Sequence, residues 1–291
     1  MIYSFSIKFL SLPALLSQTA GKDAWISALI GTVIELAILF PILLFVSRGK
    51  LNIEKFTIIL LPIFLFQVLI LTNQTFNLLN DNLFDKVNRN LFSIPLLLLG
   101  VFFCMMPSRA IFRSGEVFFV FIIIGVVLSV FPAITSINAK EVLPIGSSGA
   151  GSIFLAVAKN LIYFEAFLFL LIFKGEIHVA PHFCKKFMTT AVLVGVFFVF
   201  FVFMFTSLFG PLAPTKDIAI TTSFIGRLDW LLVTSWLLLI LLRFGITFFC
   251  AYKCVKNIIP AKSSGIVTAG IAVVLAVAVF VVFTFTGVWY A

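Results

Sequence analysis

Charge is what this chain of 291 residues lacks: Asp, Glu, Lys and Arg together make up 11%, and there are only two His. A soluble domain charges about a quarter of its residues to cover a water-facing surface, so a soluble or secreted enzyme is excluded. Glycine-rich phosphate loops, His/Glu metal motifs and nucleophile elbows are all missing, which argues against any enzyme. The four cysteines, Cys104, Cys184, Cys250 and Cys254, are too sparse for a disulfide scaffold. Cys250 and Cys254 lie i,i+4 on one helix face, and His178, His182 and Cys184 crowd one loop, but these spacings match no strong ligand motif. No metal and no cofactor is implied. The formal charge of +9 comes from basic residues scattered through short loops rather than gathered on one face, so nucleic acid is not a partner.

What fills the space is apolar: 62% of residues are hydrophobic, 38 of them Phe, and the mean hydropathy is +1.24. Such a chain is an all-α integral membrane protein whose partner is the lipid bilayer. A span needs roughly 20 apolar residues, and the runs fall at 3–20, 24–47, 56–79, 90–107, 111–133, 152–173, 187–210, 228–252 and 266–290, giving about nine transmembrane helices. Cytoplasmic loops carry the excess of Lys and Arg. One set of alternate loops (48–55, 109–113, 174, 185–186 and 253–262) holds eleven, the other six, which places the N-terminus inside.

Ionisable side chains at membrane depth are expensive, face a bundle interior and mark candidate sites. Lys8, Glu35, Lys159, Glu165 and Arg243 qualify, as an intramembrane charge network. Glu35 has about eleven residues on either side in its span, beyond snorkelling reach. It is either a proton-responsive group or half of an ion pair with Lys8 or Lys159. Span 152–173 carries Lys159, Asn160, Tyr163 and Glu165 within two turns, and the first span is interrupted at Ser11-Leu12-Pro13. Interrupted spans at corresponding places in the two halves point to an inverted-repeat transporter fold with a midplane cavity. The plainer alternative is that Pro13 kinks its helix and Lys159 snorkels. Arg243, about 15 Å inside its membrane end, needs a partner, and Glu165 or Glu35 can supply it.

Three segments, FLSLPALLSQTAGKDAWIS, YFEAFLFLLIFKG and IGRLDWLLVTSWLLLILLRFGITFF, in this order resemble the B-subunit family of bacterial spore germination receptors, within the amino acid/polyamine/organocation transporter superfamily. The most distinctive stretch is Pro13 followed by Gly21, Asp23, Ala24 and Trp25. Tyr163, Phe164 and Glu165 are a second match. Arg227 and Asp229 lead a third, in which Arg243 stands where a basic residue is usual. The resemblance implies a LeuT-like five-plus-five inverted repeat in one transmembrane domain, 1–291, with repeats at about 1–133 and 150–291. It places Ser11, Leu12 and Pro13 at one helix break, Asn160, Tyr163 and Glu165 at the other, and Thr234 and Ser235 facing them, around a small-molecule site. A half-helix N-terminus suits the carboxylate of an amino acid, and Glu165 its ammonium group.

Members of that family sense germinants, amino acids or sugars, in the spore inner membrane and act with other germinant-receptor subunits. They begin well before the first break and have ten spans, so this chain is expected to be shortened at one or both ends. Two other functions fit the residues: a proton-coupled amino-acid permease using Glu35 or Glu165, and a membrane scaffold that binds no ligand.

Overall fold

The computed structural model describes Lys8 and residues 12–47, 54–82, 88–111, 113–118, 120, 124, 139–162, 166–173, 183–215, 229–258 and 265–289. Among these residues there is no strand. The helices are α1 (Leu12–Ala20), α2 (Ala24–Ser47), α3 (Glu54–Asn82), α4 (Arg89–Met105), α5 (Ala150–Ile162), α6 (Ala166–Phe173), α7 (Phe183–Phe209), α8 (Asp229–Ile258) and α9 (Gly265–Trp289). They follow the apolar runs of the sequence. The run at 111–133 lies mostly outside the described residues.

Among the described residues, five stretches are long and apolar enough to cross a bilayer: Leu12–Ser47, Thr57–Phe76, Phe183–Phe209, Leu237–Ile258 and Gly265–Phe285. The protein is therefore an all-α polytopic membrane protein. Leu12–Ser47, at 36 residues, exceeds what one crossing of about 30 Å requires. A 3-10 turn at Gly21–Asp23 divides it, and Gly21 supplies the positive φ, 51°, that lets the chain change direction. Pro13 is helical and buried, the second described residue of α1. Buried hydroxyls along the helices turn back to carbonyls one turn earlier, as in Ser17 to Pro13 (2.9 Å), Thr72 to Val68 (2.8 Å) and Thr206 to Val202 (3.0 Å). That habit satisfies them where no water is available.

The chain forms two compact units, each drawing one segment from each half: 1–51 with 121–236, and 52–120 with 237–291. In the first, α2 and α7 pack antiparallel. Trp25 meets Phe203 edge-to-face with centroids 6.0 Å apart, Thr32 lies against Gly195, and Leu39 and Leu43 pack on Phe183, Cys184, Phe187 and Met188. Helices α1, α5 and α6 pack on α2 as well.

The second unit is a ring-and-glycine core. Phe103 of α4 fills the space beside Gly245 of α8, and Phe248 of α8 fills the space beside Gly100 of α4. Phe244 and Phe248 stack at 6.0 Å, Tyr252 Oη bonds Thr268 Oγ1 at 3.1 Å, and Cys104, Cys250 and Cys254 are buried as free thiols. Helix α9 packs on α3 and α4.

Candidate functional site

The first unit concentrates buried polar groups on one stripe of α2. Ser27, Gly31, Thr32 and Glu35 recur at helical spacing with Ala24, Ala28, Leu39 and Leu43, and all are buried. The absence of a side chain at Gly31 makes room for Asn160 of α5: a Cβ there would run into the Asn160 amide, which is 0% exposed. One turn further along α2, Glu35 Oε2 accepts an ion pair from Lys8, whose Nζ also lies 5.6 Å from the centre of the Phe198 ring on α7. Lys8 and Glu35 are thus two buried charges that neutralise each other between three segments of the chain.

Several polar atoms at this level have no hydrogen-bond partner among the described residues. They are Asn160 Oδ1 and Nδ2, Thr32 Oγ1 and Glu35 Oε1. A buried polar group left in this state costs about 1–3 kcal/mol, and all four atoms belong to α2 or to the α5 residue packed on it. Lys159, beside Asn160, donates to Thr19 Oγ1 at 2.8 Å, which ties α5 to α1.

A second cluster closes one end of this unit. Asp23, 0% exposed, accepts from the backbone N–H of Gly146 at 2.7 Å and of Ser148 at 2.8 Å, one carboxylate oxygen to each. Ser148 Oγ donates to the Ala20 carbonyl at 2.6 Å, and Lys22 Nζ to the Leu143 carbonyl at 3.2 Å. The end of α1 is thereby clasped to the loop that starts α5. The 3-10 turns at Gly21–Asp23, Ala139–Val142 and Gly210–Thr215 meet around this clasp.

Of the residues read from sequence, Leu12, Asn160, Lys8 and Glu35 are buried in this unit, and Lys159 bonds across it. Glu35 has Lys8 as its partner rather than Lys159. Leu12 and Pro13 are helical, the first residues of α1. Thr234 is exposed on α8, and Ser235 is helical, its side chain outside what is described. Arg243 is 2% exposed in the second unit. Ser11, Tyr163 and Glu165 lie outside the described residues, as do His178, His182 and Arg227.

Sequence reasoning missed Gly31, Thr32 and Gly195, and it noted Asp23 without a role. The signal for the first two was present: Gly31 and Thr32 precede Glu35 by four and three positions, so all three share its face. The signal for Asp23 was a carboxylate directly after a glycine turn, which needs donors from elsewhere.

An apolar helical protein with spans long enough to cross a bilayer and a buried ion pair inside is an all-α polytopic membrane protein. A family model described as spore germination protein matches residues 1–286, and the chain belongs to that family. No curated protein and no solved structure gives a significant match.

Proposed function

We propose that this germination-family membrane protein is the membrane subunit of a nutrient germinant receptor, which binds a small polar nutrient, an amino acid or a sugar, and signals to partner subunits rather than performing catalysis. The observation that carries this reading is Asn160, fully buried with both amide atoms unpartnered among the described residues. It stands next to Lys159, a cation suited to a carboxylate, and three residues before the Tyr163 to Glu165 segment of the family resemblance. The composition of each unit from one segment of each half supports an inverted repeat. So does the antiparallel run of α2 against α7. The proposed setting is the spore inner membrane, with the N-terminus on the cytoplasmic side.

The test is equilibrium binding of the twenty amino acids and common hexoses to the full chain in nanodiscs. One of them binds saturably, and Asn160→Leu weakens it about tenfold, the loss of one or two good hydrogen bonds, while the melting profile stays cooperative. Binding that is unchanged in the variant, or no binding across the panel, overturns the assignment. The buried Lys8–Glu35 pair favours one other function, a proton-coupled amino-acid permease, since paired charges at membrane depth are the usual parts of a proton relay. That function requires uptake into proteoliposomes that collapses when the pH gradient is dissipated. The receptor shows no sustained accumulation.

A further inference from the structure

We infer that Thr32 and Glu35 of α2, together with Asn160 of α5, form a small internal site for an uncharged group that both donates and accepts hydrogen bonds: the hydroxyl of water or of a polyol. The three side chains are 7%, 6% and 0% exposed, and each has at least one polar atom without a partner among the described residues. They belong to one packed stretch of α2 and α5. Asn160 packs directly on Gly31, Thr32 is the next residue, and Glu35 lies one turn on from Gly31. Thr32 and Glu35 are i,i+3 neighbours on α2, and both are buried.

The choice of occupant follows from charge and from the kinds of atom left over. Glu35 is already neutralised by Lys8 through its other oxygen, so a metal cation or an ammonium group would bring an uncompensated charge into a low-dielectric interior. Such cations also accept nothing, whereas the Asn160 Nδ2 is a donor and needs an acceptor. A hydroxyl donates to Glu35 Oε1 or Asn160 Oδ1 and accepts from Nδ2 or from the Thr32 O–H. It satisfies both kinds of atom without adding charge. The site shares Asn160 with the proposed nutrient site but does not depend on a nutrient binding there.

A double-mutant cycle on the full chain in nanodiscs, with no nutrient present, tests it. Thr32→Val replaces the hydroxyl by a methyl group of the same shape, and Asn160→Leu replaces the amide. If one occupant bridges both, each single variant lowers Tm by about 2–4 °C, and the double variant falls little further than the worse single. If the atoms are simply orphaned, removing them is neutral or raises Tm. A rise or no change in either single variant, or additive losses, overturns the inference. Should Thr32→Val fail to fold, Thr32→Ala takes its place, since it removes the same hydroxyl. Millimolar D-glucose or myo-inositol then separates the two sources. A Tm rise in the unmodified chain that is missing in Thr32→Val assigns the group to a polyol. Equal behaviour of the two proteins assigns it to water. Because the cycle is read without nutrient, its failure and the failure of nutrient binding are distinguishable.

Discussion

Glycine does opposite work in the two units. In the unit of α3, α4, α9 and the later part of α8, Gly100 and Gly245 receive phenylalanine rings, with a Cβ at either position 2.8 or 2.6 Å from ring carbon. In the unit of α1, α2, α5 and α7, Gly31 instead receives the amide of Asn160. Both arrangements bring helices close, but they differ in what is left over. Rings on glycine fill the space between helices with carbon, and that unit's hydroxyls at Thr72, Thr75 and Thr247 bond their own helices, although Gln67 and Arg243 are buried there too. The amide on glycine leaves hydrogen-bonding capacity facing Thr32 and Glu35. One unit packs chiefly through rings laid on glycine, and the other lays a polar side chain on glycine beside a buried ion pair. Burying polar atoms without partners lowers stability, so the second arrangement costs more than a ring on glycine does.

Breaking the ion pair should disturb that contrast most. Lys8→Met leaves Glu35 buried without its cation, and removal of one partner of a buried pair destabilises by about 3–5 kcal/mol. The double variant Lys8→Met with Glu35→Leu should recover most of that loss, because two apolar side chains need no compensation. Thermal unfolding of the three proteins in the same micelle checks this. Recovery absent from the double variant would show that the pair does more than neutralise itself.

Overpacking the apolar core comes next. Gly245→Val must displace the Phe103 ring, and forced repacking of a filled core costs about 1–3 kcal/mol. Phe103→Ala in the same chain should restore part of it by vacating the space. If Gly245→Val is as stable as the unmodified chain, the ring-on-glycine core is not the tight element described.

Loss of the clasp is expected to be smaller. Asp23→Ala removes two charge-assisted hydrogen bonds, but the freed N–H groups of Gly146 and Ser148 lie in an exposed loop where water replaces the carboxylate. The expected loss is about 1 kcal/mol, accompanied by faster amide exchange at Gly146 and Ser148. Unchanged exchange there would remove the clasp from the account.

How much of this was legible in the sequence depends on distance along the chain. Where residues are described, the apolar runs located most helices to within about four to six residues, because the bilayer sets a span length that local composition must meet, although 152–173 holds two helices, α5 and α6. Glu35 announced its need for a partner, since no end of its helix was in reach. Which lysine served was not legible: Lys8 and Lys159 were equal candidates, and the choice depends on how α1 and α5 pack on α2. The spacing put Gly31 on the face of Glu35, but its contribution is an absence, which matters only once Asn160, more than a hundred positions away, is laid against it. The grouping into units was hidden for the same reason. Contacts that join 1–51 to 121–236 are made between segments far apart in sequence, and a periodicity within one helix does not say which helix it faces.

The smallest effect on stability carries the sharpest comparison. Gly31→Ala and Gly245→Ala add the same methyl group to a helix interior, and each gains helix propensity of about 0.5–1 kcal/mol. At Gly245 the methyl meets an aromatic ring held on α4, 2.6 Å away, and the propensity gain is overwhelmed. At Gly31 it meets an asparagine side chain, 2.0 Å from Nδ2 and 3.2 Å from its Cβ, so the terminal amide must turn away and the Cβ give by a few tenths of an ångström. Gly31→Ala should therefore melt within about 1 kcal/mol of the unmodified chain, while Gly245→Ala melts clearly lower. Nutrient binding should show the reverse order, because rotating Asn160 removes the amide from the site and leaves the second unit untouched. Equal stability losses in the two variants would mean that Asn160 is fixed by something stronger than packing. Equal binding would mean that the polar interior of the first unit is not where the ligand is held.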